Sequence, residues 1–404
     1  MNACDKLGIC GGLAAFATPL YVGRPNIGKR SVLLDRINGV LDRRWLTNGG
    51  SCVRELESRL TEALRVRHCI PICNGTVALE LATRALDLAG EVIVPSFTFV
   101  ATAHSLQWQG ITPVFCDVDP NTHVLDPEKV EALITPRTTG ILGVHIWGRP
   151  CAIEALEAIA RRRNLRLMFD AAHAFGCSHQ GRMIGNFGAC EVFSFHATKF
   201  FNTLEGGAIA TNDDDLARKI RLMKNFGFTS YDQVDYVGTN GKMNEMSAAM
   251  GLTNLESLDE FVAVNRRNHA QYLRELDGLA GVSLIRYDDR ERNNYQYVVL
   301  EIDAGKTGID RDSILEALHA ENILARRYFY PGCHRMEPYR SYFPNARLLL
   351  PETEKLTDRV LCLPTGTGVS EDDIATVCRI LRLILSKPEP VSAQVRTRRA
   401  AGGR

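Results

Sequence analysis

The stretch Leu165-Arg166-Leu167-Met168-Phe169-Asp170-Ala171-Ala172-His173 is a short apolar run that stops on an acid. Its length and its apolar neighbours on either side read as a buried strand. Runs of the same kind precede and follow it: Glu91-Val92-Ile93-Val94-Pro95, Thr112-Pro113-Val114-Phe115-Cys116, Gly140-Ile141-Leu142-Gly143-Val144 and Val192-Phe193-Ser194-Phe195. Helical stretches separate them, and this alternation argues an α/β architecture, a mainly parallel sheet with helices on both faces. Ligand chemistry collects at the carboxyl edge of such sheets, which is where Asp170 falls.

Outside this region the pattern changes. Residues 1–50 read as an N-terminal arm, irregular around Gly23-Arg24-Pro25-Asn26, and Leu56, Leu60 and Leu64 then mark a helix over 54–66 by their spacing. A long charged helix leaves the sheet region from about residue 258. Beyond it, Tyr295-Gln296-Tyr297-Val298-Val299-Leu300 reads as a strand, and 311–321 and 371–386 read as helices. The expected organisation is a large domain over 51–260, a smaller α+β domain over 261–386, and a disordered tail over 387–404. That tail combines Pro, Ser, Gly and Arg without apolar periodicity.

With 404 residues and 45% hydrophobic content the chain can bury a large core, about three-quarters of its unfolded surface by size scaling. Disorder as the main state is excluded. Forty-eight basic against 47 acidic side chains leave +1, so no charge excess points to a nucleic-acid partner and a small molecule is expected instead. The twelve cysteines include no Cys-x-x-Cys pair, and no His-Glu-x-x-His occurs, so reduced thiols and no metal site are expected. Residues 7–22 are mildly apolar and contain Ala15-Phe16-Ala17, but Asp5 offsets Lys6 and glycines interrupt the run. They read as ordinary chain rather than a signal peptide, and no run is long enough for a membrane span; a cytoplasmic protein is expected.

Three common nucleotide and hydrolase signatures fail. Gly305-Lys306-Thr307 lacks the first glycine of a phosphate-binding loop, since position 300 is Leu300. No Gly-x-Gly-x-x-Gly follows an early strand, and Gly-x-Ser-x-Gly is absent.

Another constellation holds. Asn74-Gly75-Thr76 opens a helix whose apolar residues Ala78, Leu81, Ala82 and Ala85 keep helical spacing, so free backbone amides and the positive end of the dipole face an anion. Asp170 at a strand end can bind a cation. Twenty-nine positions later, Lys199 follows the strand that ends in Phe193-Ser194-Phe195-His196-Ala197-Thr198, and an amine there can condense with an aldehyde. A phosphate cradle, a carboxylate and an amine are the groups that hold and use pyridoxal 5'-phosphate (PLP). A carboxylate about 3 Å from the protonated pyridine nitrogen contributes roughly 5 kcal/mol of attraction at an effective dielectric near 20, before desolvation.

These residues resemble the sugar-nucleotide aminotransferases of the DegT/StrS type, which belong to the fold-type I PLP-dependent transferases. The resemblance spans about residues 20–385. It rests on Asn74-Gly75-Thr76, the block from Pro95 to Thr102, Asp170-Ala171-Ala172-His173-Ala174, the block from Phe193 to Lys199, and Glu205-Gly206-Gly207. It implies a seven-stranded sheet in the large domain and Lys199 and Asp170 as the catalytic pair. Gly75, Thr76 and Ser194 are then phosphate ligands, Phe99 stacks on one face of the cofactor ring, and His173 lies close to it. The stretch 238–245 resembles the family's loop across a homodimer interface, with Asn240 touching the phosphate in the other subunit. A branch that replaces the lysine by histidine performs dehydration; Lys199 excludes the chain from it. Histidine at 173, where many relatives have glutamine, is a common variant.

The resemblance further implies a nucleotide-linked keto sugar as acceptor and L-glutamate as donor, in the biosynthesis of deoxyaminosugars such as those of antibiotics. Residues 326–334 and 293–297 look most like enzymes that aminate C4 of dTDP-4-keto-6-deoxyglucose. Arg326 or Arg327 is then a candidate for the donor carboxylate or the sugar's diphosphate, with Tyr328 beside them. Trp45 and Asn48 are candidates for the sugar pocket. The rival readings are amination at C3 of a dTDP-3-keto-6-deoxy sugar and, from another class, a binding or regulatory protein of the same fold without turnover.

Overall fold

The computed structural model describes residues 7–402. The elements that matter here are β1 (His68–Ile72), β2 (Glu91–Pro95), β3 (Thr112–Cys116), β4 (Thr138–Val144), β5 (Arg166–Asp170), β6 (Cys190–Ser194) and β7 (Gly207–Thr211), followed by β8 (Val282–Leu284), β9 (Val298–Ile302) and β10 (Val360–Leu363). The helices are α1 (Arg30–Arg43), α2 (Ser51–Leu64), α3 (Gly75–Ala85), α4 (Ala101–Gln107), α5 (Ile153–Arg163), α6 (Asp214–Met223), α7 (Glu245–Glu256), α8 (Leu258–Leu276), α9 (Arg311–Ala320), α10 (Pro351–Arg359), α11 (Glu371–Ser386) and α12 (Pro388–Gly402).

The first seven strands form one sheet in the order β1-β7-β6-β5-β4-β2-β3. All neighbours run parallel except β7, which is antiparallel to both β1 and β6. Residues such as Ile93, Ile141, Met168, Phe169 and Phe193 are fully covered or nearly so, as expected for strands roofed on both faces by helices. Because six strands point one way, the ends of β1, β2, β5 and β6 meet along one edge. The last three strands form a separate antiparallel sheet, β8-β9-β10.

The strand read over 295–300 begins later, at Val298; residues 295–297 are buried but carry no ladder, and Tyr295 has a positive φ of 48°. The arm is more structured than its sequence suggests. Helix α1 packs on α7 with Val40 as its single fully buried side chain, so its apolar face is too narrow to stand out in the sequence. Leu7, Ile9 and Leu20 join the core of the second sheet, and Leu20–Tyr21 pairs in parallel with Ile323–Leu324. Residues 1–6 and 403–404, and with them Cys4 and the ends of the arm and tail, lie outside the described residues. Among the described residues ten cysteines carry free thiols, whereas Cys10 is disulfide-bonded, against the expectation of reduced thiols throughout.

The tail corrects the sequence reading. Residues 388–402 are helix α12 rather than disordered chain. Val391 and Val395, four apart, are fully buried in the same core as Ile314 and Leu318 of α9. Arg398 Nη2 donates to the carbonyl of Gly8 at 2.8 Å, and Arg399 pairs with Glu316 at 2.7 Å. Two valines are too weak a period to read alone; the partner surface of α9 and the arm makes the helix pay. No helix among the described residues is long and apolar enough to cross a membrane. Val391→Asp is expected to lower the thermal midpoint by several degrees, because it drives a charge into an apolar core; a midpoint unchanged in calorimetry would return the segment to a disordered tail.

Candidate active site

At the edge where β1 ends, Asn74 caps α3: its Oδ1 accepts the N–H of Val77 at 2.8 Å. That leaves the N–H groups of Gly75 and Thr76 at the open end of the helix, which cannot satisfy them itself. Neighbouring backbone fits closely around this point. A Cβ on Gly75 would lie 2.9 Å from Cβ of Ser194, and one on Gly207 would lie 2.8 Å from the nitrogen of Gly75. Glycine at 75 and 207 therefore lets β6 and β7 approach the helix end, and Ser194 sits directly beside Gly75. Gly75, Thr76 and Ser194 are brought together as the sequence predicted, in a cradle that suits a phosphate.

Three sheet positions from β1 and next to β6, Asp170 ends β5 with its side chain buried. Thr102 Oγ1 donates to Asp170 Oδ2 at 2.9 Å, the N–H of Ala172 donates to Oδ1 at 3.0 Å, and Thr98 stands 2.9 Å behind Thr102. Burial pushes the Asp170 carboxyl above its usual range, against the opposing pull of these two donors and of the Lys199 charge. A buried carboxylate with neutral donors alone in hydrogen-bond contact is a place for a cation. Thr102 lies within the block that carried the family resemblance, yet nothing in its spacing marked it as the residue that holds Asp170.

Lys199, half-buried, feels both Asp170 and His173. Burial lowers its amine to about 8, although Asp170 opposes the shift. The same burial, with Lys199 second, holds His173 well below the ordinary histidine range and therefore neutral. His173 stands between the N–H of Trp147, which donates to Nδ1 at 3.2 Å, and the hydroxyl of Tyr297, 3.2 Å from Nε2. The buried residues Trp147 and Tyr297 were missed by the sequence reading, because an aromatic in an apolar run looks like core.

Phe99 is exposed and lines a cavity of about 460 Å³ together with Thr98, Arg326, Arg327, Tyr328 and Phe329. Of the cofactor-side candidates Phe99 is the one that lines this cavity, beside the substrate-side candidates Arg326, Arg327 and Tyr328. The two arginines differ. Arg327 Nη1 lies 3.1 Å from Asp312 and its guanidinium covers the Tyr330 ring at 4.0 Å, so its charge is committed. Arg326 is exposed, stands over the Tyr328 ring at 5.4 Å, and has no carboxylate partner among the described residues.

Three candidates stay apart from this cluster within one chain. Trp45 is half-exposed against the guanidinium of Arg54 at 5.2 Å, and Asn48 is an exposed residue at φ 62°. Asn240 is exposed, with its carbonyl 4.0 Å from Cys73 Sγ beside the cradle strand.

The sequence pattern of the DegT/DnrJ/EryC1/StrS aminotransferase family matches residues 29–382. The chain belongs to that family. Among curated relatives, the dTDP-4-amino-4,6-dideoxy-D-glucose transaminase of Shigella dysenteriae is 36% identical over 371 residues, 91% of this chain and 99% of that protein. GDP-perosamine synthase of Caulobacter vibrioides is 36% identical over 87% of this chain and 95% of its own. Among solved structures, that of DesI in the presence of its TDP-sugar product has a TM-score of 0.93 at 50% identity, covering 97% of this chain and 99% of DesI. As a member of the family the chain is a PLP-dependent sugar aminotransferase with the fold-type I architecture. Its residues fit the cofactor: the cradle that glycine keeps open at 75, the buried Asp170 lacking a cation in hydrogen-bond contact, and the amine of Lys199 all lie along one sheet edge.

The lysine's value near 8 makes a pH prediction. Below it the amine is protonated and unreactive, and above it the neutral form dominates. The rate at which PLP attaches to the cofactor-free protein should therefore rise about tenfold per pH unit up to roughly 8 and then level. Absorbance-monitored mixing over pH 6–10 checks this; a rise continuing to pH 10 would mean an unshifted lysine.

Proposed function

We propose that the enzyme moves the amino group of L-glutamate to C4 of a dTDP-linked 4-keto-6-deoxy sugar. The observation that carries the reading is a relative whose name states such chemistry, a dTDP-4-amino-4,6-dideoxy-D-glucose transaminase matched over nearly its whole length; DesI, solved with its TDP-sugar product, supports the TDP linkage. Bound PLP supplies an electron sink and a carrier for the amino group between the two half-reactions.

The chain's own residues then divide the work. Gly75, Thr76 and Ser194 bind the phosphate through N–H and hydroxyl donors. Asp170, steadied by Thr102 and Ala172, holds the pyridine nitrogen protonated. Lys199 would hold and release a proton at its Nζ, for which an amine near 8 is well matched to neutral pH. Phe99 and His173 would lie against the cofactor ring. Arg326 takes the diphosphate or the donor carboxylate through its planar fork, whereas Arg327 stays with Asp312.

A homodimer with shared sites belongs to this reading. The chain exposes 18,262 Å², above the roughly 16,000 Å² of a compact monomer of this mass. Trp45, Leu46, Phe226, Phe228, Val234 and Val237 supply exposed apolar side chains around Asn48 and Asn240. Across such an interface Asn240 reaches the phosphate in the partner's site, and Trp45 and Asn48 line the sugar pocket.

Incubation with PLP, glutamate and dTDP-4-keto-6-deoxyglucose is expected to give a 4-amino sugar by mass and proton NMR, with Lys199→Ala as the inactive control. Conversion of the cofactor to its amine form with the dTDP sugar untouched would overturn the acceptor. A GDP-linked sugar, as the relative GDP-perosamine synthase suggests, and a 3-keto isomer are then assayed in turn. Arg326→Ala should raise one KM, glutamate's or the sugar's, at least tenfold, since charge-assisted hydrogen bonds contribute about 1.5–3 kcal/mol. Arg327→Ala should leave both KM values nearly unchanged; the reverse ranking would exchange their roles.

A further inference from the structure

Trp147 is fully buried and has a left-handed backbone, φ 62°, followed by Gly148 at φ 87°. A bulky side chain in that region is uncommon and stays there only when its surroundings hold it. Several groups do. The indole Nε1–H donates to His123 Nδ1 at 3.2 Å, the Tyr287 hydroxyl lies 3.1 Å from the Trp147 carbonyl, and the indole stacks on Phe329 at 5.4 Å and 19°. In this conformation the backbone N–H of Trp147 points at His173 Nδ1, 3.2 Å away.

The directions of these bonds can be deduced without seeing a hydrogen. An indole N–H can only donate, so His123 Nδ1 is a bare acceptor and its proton is on Nε2, facing Glu301 Oε1 at 3.1 Å. A backbone N–H can only donate, so His173 Nδ1 is bare too. Neutral His173 must then carry its proton on Nε2, 3.2 Å from the Tyr297 oxygen.

We propose that Trp147 is a positioning residue that locks His173 in a single neutral tautomer, protonated on Nε2, with His123, Glu301 and Tyr297 completing the lock. Both ring nitrogens of His173 are then committed in the plane of the ring. Only its π surface is left for the cofactor, and it offers no lone pair to compete with Lys199 for the transferred proton. This consequence rests on the reading that PLP binds beside Lys199 and His173; the lock itself is a property of the chain.

The test is nitrogen-15 NMR of the full chain with labelled histidine at neutral pH, with and without PLP, the His173 signals being assigned by their loss in His173→Gln. The expected result is one tautomer in both states, with protonated Nε2 and bare Nδ1. A proton on Nδ1, a tautomer mixture or an imidazolium would overturn the proposal. His123→Leu leaves the indole N–H without an acceptor and is expected to mix the His173 tautomers and shift the absorption band of bound PLP. His123→Gln, whose amide oxygen can accept that N–H, should restore both signals. Should His123→Leu not fold, Trp147→Phe removes the indole donor while keeping an aromatic ring in the stack, and mixing of the His173 tautomers is expected there as well. One unchanged tautomer in every folded variant would reduce Trp147 to packing and sink the idea. Failure of PLP to bind while the wild-type tautomer is as expected would count against the placement of the cofactor, and the lock would stand.

Discussion

The arrangement turns on one carboxylate taken out of water. Asp170 ends a strand whose residues 167–169 are buried, and its two oxygens receive a threonine hydroxyl and a single backbone N–H. Such a group is costly to keep charged without a cation, which is why burial raises its pKa even with Lys199 nearby. In the function proposed above, a protonated pyridine ring would supply that charge, and binding the cofactor and relieving the buried acid would be the same event. The requirement extends outward: Thr102 must lie on α4 facing β5, and Thr98 behind it must orient the hydroxyl.

Parallel strands make this economical. Four strand ends converge on one edge, so a phosphate cradle from β1, an acid from β5 and a serine from β6 meet although 119 positions separate Gly75 from Ser194. The exception, antiparallel β7, brings Gly207 against the backbone at 74–75, where any side chain would collide. The second sheet closes the other side of the cleft. Its loop over 326–330 sets Tyr328 and Phe329 opposite Phe99 and leaves one arginine uncommitted.

Aromatic packing behind His173 has a different character from the rest of the core. Trp147, Tyr297 and Phe329 surround the imidazole, and each side-chain nitrogen of Trp147, His173 and His123 has one partner of the right kind. A network in which the donors are fixed by chemistry has one consistent set of proton positions, and that restricts which group at the site can move a proton.

Local sequence determined much of this by itself. Strands 91–95 and 112–116, the helix over 371–386, the cap at Asn74 and the place of Asp170 at a strand end were legible because each depends on apolar period, turn chemistry or a residue type at a strand end. Tertiary structure alone decided the rest. Helix α12 depends on a surface for Val391 and Val395 that no nearby residue supplies, and α1 shows too narrow an apolar face to be read from its own sequence. The difference between Arg326 and Arg327 lies in Asp312, fourteen and fifteen positions away, and the role of Trp147 lies in His123 and His173 on other segments. Periodicity reports what a segment would bury; which partner it meets is settled only when distant segments are packed together.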